Sequence, residues 1–189
     1  MRILQIMRQV NLFMLFIILS FGFVSSLEAR VFMKRDEALK TAFPDAVEIE
    51  KNEIFLSSDQ SKTIESLARA KNESKLYIIY EAKSGEKTLG YAIIDTHSLR
   101  TKTETVMFVI NPDGTLKQTE VLAFFEPPDY QAGGNWMELF EGKTSDDSLK
   151  LGKDIPNITG ATITANSLSQ ATRRILAVFK VASDQGQLN

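Results

Sequence analysis

Six consecutive residues near the C-terminus, Thr159-Gly160-Ala161-Thr162-Ile163-Thr164, mix hydroxyls with small side chains. At the start of a helix such a stretch suits a phosphate. The first turn of a helix has backbone N–H groups with no intrahelical partner, and its dipole favours negative charge, so an anion is stabilised before any side chain acts. Gly160 lets the backbone come close, and Ala161 adds little bulk. Thr159, Thr162 and Thr164 place hydroxyls in or beside the pocket, each able to donate a hydrogen bond or carry a covalent bond. The same residues also read as an ordinary capped helix start, with Thr162 or Thr164 as N-cap, and local sequence leaves the two readings open.

The helix itself follows from spacing. Leu168, Ala171, Ile175, Phe179 and Ala182 recur at three- and four-residue intervals and make one apolar face. Upstream, Lys34 to Phe43 reads as a short helix stopped by Pro44, and Ala46 to Leu56 as extended. Ser57-Ser58-Asp59 supplies N-cap chemistry for a second helix over Gln60 to Ala70. The period then changes to strands over Leu76 to Ala82, Lys87 to Asp95, Thr103 to Ile110 and Leu116 to Phe125. Ser84-Gly85-Glu86 and Asn111-Pro112-Asp113-Gly114 are turn-formers, and such short links make neighbouring strands antiparallel. Pro127, Pro128, Gly133 and Gly134 mark a loop into a short helix around Trp136 to Phe140. The charged stretch Glu141 to Asp154 then crosses the surface and delivers the chain to the Thr-Gly-Ala-Thr turn. The expected fold class is α+β, an antiparallel sheet flanked by helices, with the C-terminal helix opening at that turn.

The segment Leu151-Gly152-Lys153-Asp154-Ile155-Pro156-Asn157-Ile158-Thr159-Gly160-Ala161-Thr162 resembles the signature of the FMN-binding domain family. That family includes the C subunit of Na+-translocating NADH:quinone reductases and the G subunit of Rnf complexes. Its pattern is an Asp, two variable residues, then Ser or Thr followed by Gly-Ala-Thr. The final Thr carries FMN through a phosphoester bond, made by a flavin transferase that uses FAD as donor. The resemblance puts the attachment at Thr162. It extends over roughly Lys87 to Phe179, through the hairpin around Asn111-Pro112-Asp113-Gly114, through Glu126-Pro127, and through Trp136, Phe140, Gly142 and Lys143, which are similar to a Trp-x-x-x-Phe-x-Gly-Lys run. One position departs. The acidic residue expected three places before Thr159 is Pro156, and the nearest carboxylate is Asp154. If the transferase requires that carboxylate in register, the FMN pocket can remain where the covalent bond fails.

A flavin site needs a phosphate cradle, an apolar slot for the isoalloxazine and polar groups at its edges. Phe124, Phe125, Tyr130 and Trp136 offer aromatic faces, although Trp136 and Phe140 lie four apart and equally suit a core. Glu126 could pair with a ribityl hydroxyl or with Lys143, or be a solvated loop carboxylate. Lys143 could assist the phosphate or sit in an exposed turn. The cofactor-binding set is therefore Thr159, Gly160, Ala161, Thr162, Thr164, Glu126, Trp136 and Lys143, with neither a catalytic residue nor a metal ligand assigned. His97, in Asp95-Thr96-His97-Ser98 between two strand patterns, reads as a solvated turn residue.

Composition narrows the function classes. The chain has no Cys and one His, which excludes disulfides, Fe–S clusters, thiolate-bound metals and c-type haem attachment, so redox chemistry must come from an added cofactor. Arg2 and Arg8 precede an apolar run from Leu12 to Val24, followed by Ser25, Ser26 and Ala29, the layout of a secretory signal peptide. The expected division is a signal peptide or N-terminal anchor over 1–29 and a single FMN-binding domain over 30–189. Removing the leader takes away two Arg and one Glu and leaves a net charge of about −3, which gives no footprint for nucleic acid. The leading expectation is an extracytoplasmic, periplasmic electron carrier that exchanges electrons with a membrane redox partner and turns over no small substrate. Its alternatives are an exported anion- or phosphate-binding module, and a membrane-anchored subunit of a redox complex without flavin.

Overall fold

The computed structural model describes residues 30–188, and the expected leader over Met1 to Ala29 lies outside them. Six strands form one antiparallel sheet: β1 (Arg30–Val31), β2 (Glu48–Phe55), β3 (Leu76–Ser84), β4 (Lys87–Ser98), β5 (Thr103–Ile110) and β6 (Leu116–Phe124). Their order is β1-β6-β5-β4-β3-β2, so β2 to β6 form an antiparallel meander and β1 returns to close the far edge beside β6. Four helices accompany the sheet: α1 (Arg35–Ala42), α2 (Ser58–Ala68), the short α3 (Gly134–Met137) and α4 (Thr162–Asp184). The α+β expectation holds.

Side chains alternate across a strand, so each strand feeds two cores. On one face Ile79, Ile93, Val106, Phe108 and Ile110 meet Ile64 of α2 and Leu168, Ala171 and Ile175 of α4. On the other, Ala92, Met107 and Val109 meet Ala38 and Leu39 of α1. Helix α4 is the principal cover. Leu168 and Ile175 are fully buried, and each such side chain contributes about 1.5–3 kcal/mol of transfer free energy.

Two local devices fix α2 and α4. Ser57 caps α2 in a reciprocal capping box with Gln60, as the Ser-rich approach suggested. At the other end of α2, Arg173 of α4 donates through Nε to the carbonyl of Ala68 at 2.7 Å and through Nη1 to the carbonyl of Leu149 at 3.0 Å. One guanidinium thus ties α4 both to the last turn of α2 and to the loop that leads into α4.

The structure moves several boundaries. Strand β1 is not visible in the sequence pattern, because two residues carry no period. Strand β4 continues past Asp95 to Ser98, which places His97 inside a strand and 8 % exposed rather than in a solvated turn. The aromatic stretch expected as one short helix is α3 followed by a 3-10 turn at Glu138–Phe140.

Candidate functional site

The N-terminus of α4 is uncapped. Its N-cap is Ala161, whose methyl group accepts nothing, and the first turn contains no acidic residue. Neither Thr162 nor Thr164 caps the helix, so the ordinary capped-start reading is corrected. A helix of 23 residues thus presents its first-turn N–H groups and the positive end of its dipole without a side-chain acceptor. Gly160 precedes it at φ +84°, and a Cβ there would meet nothing within 4 Å. The glycine is needed for its backbone conformation rather than for space.

A cleft of about 190 Å³ opens at this helix end. Gly160, Ala161, Ile163 and Thr164 form one wall, Leu99 and Arg100 from the β4–β5 turn another, and Glu126 and Tyr130 close it beyond β6. Thr164 is buried, while Thr159 and Thr162 are exposed. The Thr162 hydroxyl donates a long bond of 3.4 Å to the carbonyl of Ile158, and neither Thr159 nor Thr162 lines the cleft, although Gly160, Ala161 and Ile163 beside them do.

Glu126 shapes the cleft from within. Its carboxylate accepts from the Thr101 N–H at 2.6 Å, the Lys102 N–H at 2.8 Å and the Thr101 hydroxyl at 3.1 Å. These bonds, the Thr101 amide foremost, hold its pKa below the usual carboxylate range. It is 6 % exposed, so it is not a solvated loop carboxylate, and it holds the turn of the β4–β5 hairpin rather than Lys143.

The remaining candidates support the approach to the cleft. Among the described residues Trp136 and Lys143 do not line it. Trp136 stacks edge-on against Phe140, with ring centroids 5.1 Å apart, and its indole N–H donates to the carbonyl of Pro156 at 2.8 Å. Lys143 lies in a turn whose backbone pairs with Leu116, and its charge acts on Asp154. Asp154 itself accepts from the Ser148 hydroxyl and from the Lys150 N–H at 3.0 Å, foremost the Ser148 bond, and its pKa is lowered accordingly. Its Oδ2 is engaged within its own turn. With Leu149 and Ile155 buried beneath, the chain from Ser148 to Pro156 is a fixed ramp into the Thr-Gly-Ala-Thr turn.

Arg100 escaped the sequence reading. It stands in the cleft wall opposite the helix end, and among the described residues its guanidinium has no ion-pair partner. A lone Arg in a predicted turn has no periodic signal; only the hairpin's placement against α4 brings it to the cleft.

Residues 101–177 match the family model described as an FMN-binding domain. This segment belongs to the FMN-binding domain family. It contains the cleft, apart from Leu99 and Arg100, and the whole signature turn. The fold is also similar to the crystal structure of Shewanella oneidensis NqrC, at a TM-score of 0.53 and 14 % identity, over 80 % of this chain and 89 % of that one. No curated protein matches the chain in sequence. The cofactor of the matched domain is FMN. The cleft residues fit it: an uncapped helix end and a guanidinium for the phosphate, and an apolar rim at Tyr130 and Ile163, which are 38 % and 50 % exposed.

Proposed function

We propose that this chain is an extracytoplasmic electron carrier whose FMN is joined by a phosphoester to Thr162. The observation that carries the proposal is the uncapped, acid-free first turn of α4 with the exposed Thr162 hydroxyl beside it. The first-turn N–H groups and Arg100 bind the phosphate, Thr164 lines the cleft floor, and Glu126 keeps the hairpin wall upright. Whole small-molecule pockets run from about 300 Å³ upward. The smaller cleft here suits the phosphate end, leaving Tyr130 and Ile163 for the ring. FMN supplies the one- and two-electron chemistry, and the protein supplies position and field.

Attachment requires a flavin transferase with FAD as donor. The Thr162 oxygen displaces AMP at the FMN phosphorus, the pyrophosphate bond breaks, and the hydroxyl proton passes to a base of the transferase. An exported setting follows from the Met1 to Ala29 sequence and suits a fixed cofactor, which cannot be lost outside the cytoplasm. Among the described residues no helix is long and apolar enough to cross a membrane. A membrane redox partner is the expected electron source or sink.

Incubation with a flavin transferase, FAD and Mg²⁺ should add the mass of FMN less one water, and Thr162→Ala should abolish the gain. A gain that survives Thr162→Ala overturns the attachment residue. A chain that takes up no flavin, and is colourless after expression with the transferase, is instead a phosphate-binding module using the same helix end.

A further inference from the structure

The sheet face beneath α4 holds a group of charged side chains that phosphate binding does not use. Asp95 and His97 come from β4, Glu104 from β5 and Arg174 from α4. Asp95 Oδ2 accepts from Arg174 Nη2 at 2.8 Å and pairs with His97 Nδ1 at 3.0 Å. His97 Nε2 lies 3.3 Å from Glu104 Oε2, in ion-pair contact but outside hydrogen-bond alignment. Glu104 is fully buried, and among the described residues neither of its carboxylate oxygens has a hydrogen-bond donor. From β3, Tyr77 donates to Asn72 at 2.6 Å; burial pushes its phenol up to about 12, with Arg174 opposing and Asp95 adding to the rise.

Buried carboxylates persist when they are paired. One guanidinium faces two carboxylates here, so the imidazole brings this group of four to neutrality by holding its second proton. Burial pulls His97 down, but Asp95 and Glu104 lift it further, and the net shift is upward from its ordinary value.

The same elements build the cleft. His97 is two residues before Leu99, and Glu104 is two after Lys102, whose N–H is held by Glu126. Arg174 lies ten residues along α4 from Thr164, about 15 Å by helix rise.

We propose that His97 is a positioning residue that couples charge in the flavin cleft to a proton in the protein interior, its imidazole holding the second proton more tightly when FMN is reduced than when it is oxidised. The inference rests on the FMN site proposed above. Two electrons from the reductant and one proton from water leave one added negative charge on the flavin, and the proton gained by His97 also comes from water. No bond within the protein forms or breaks. At a separation on the order of the Thr164-to-Arg174 helix rise, about 15 Å, and an effective dielectric constant of about 20–40, one such charge raises the imidazole pKa by about half a unit.

His97 is the chain's one histidine, so its ring gives a single set of NMR signals to titrate. The full chain, loaded with FMN, is titrated in the oxidised form and again when held reduced with dithionite. The His97 midpoint should rise by about half a unit on reduction, and the FMN potential should change slope against pH between the two midpoints. Glu104→Gln should lower both midpoints while keeping their difference, and His97→Gln should remove the slope change. If His97→Gln does not fold, Glu104→Gln carries the test alone. Equal midpoints in the two redox states overturn the inference and leave the FMN site standing. A chain that takes up no FMN overturns both.

Discussion

Pro156 shows how a departure from a family pattern resolves at the level of one residue. Its carbonyl is held by the Trp136 indole N–H, a bond to backbone that any side chain at 156 would preserve. Asp154 Oδ2 accepts from Ser148 and Lys150, which fixes this carboxylate in its own turn, two residues before position 156. Pro156→Asp should therefore leave the ramp in place and speed flavin incorporation if the transferase reads a negative charge there. Asp154→Ala should loosen the 148–155 turn without a comparable effect of charge. Initial rates of FMN incorporation for wild type and both variants check this, and equal rates in all three would show that neither position matters. Glu126→Gln tests the hairpin clamp in the same way. Losing charge-assisted bonds to two amides should cost about 1–3 kcal/mol in urea unfolding. These roles were only partly legible in the sequence. Trp136 and Glu126 were marked as candidates, but which partner each meets depends on the fold of a loop about twenty residues away.

Helix α4 was the most legible element, because its apolar face repeats over about four turns and its small-residue start is distinctive. What spacing could not give is which residue caps it. Thr162 and Thr164 are both competent caps by composition, yet the chain enters through Gly160 at positive φ and leaves Ala161 in the cap position. That vacancy makes stability and cofactor binding pull in opposite directions. Ile163 is half exposed in the first turn and lines the cleft. Ile163→Glu would place a carboxylate against the positive helix end and should stabilise the flavin-free protein by about 0.3–1 kcal/mol, while repelling the phosphate. A raised Tm together with weaker FMN uptake is the expected pair of results; a raised Tm with unchanged uptake would remove the helix end from the phosphate site. Strand β4 was legible in its middle and lost at its end. Asp95, Thr96, His97 and Ser98 read as a turn, and only pairing with β5 through Ser98↔Thr103 extends the strand over them. Tertiary pairing overrode local propensity there.

The molecule as a whole carries a polar group inside its larger apolar core, and this sets its response to pH. Helix α4 contributes Arg174 to the group, and β4 and β5 contribute the rest, so protonation there is felt by the elements that hold the sheet and the cleft together. Asp95 is raised by burial but lowered more by His97 and Arg174 together, so its pKa falls below the ordinary 3.8. Its stabilisation is present above that unfolded value and is lost as pH falls through the folded one. His97 is shifted the other way, upward from 6.5. Its stabilisation is fully present below pH 6.5 and is lost as pH rises through the folded value. Wild type should therefore be most stable between these limits and should weaken on the alkaline side, where most single domains of this size hold steady. Urea unfolding of the flavin-free protein, compared with His97→Gln from about pH 5 to about pH 9, isolates the term. The stability difference between the two should be largest at the acidic end of that range and shrink as pH climbs past 6.5 toward the folded pKa. A difference that stays constant across the range would mean that the imidazole does not change its proton there, and that the carboxylates beneath α4 are balanced by some other group.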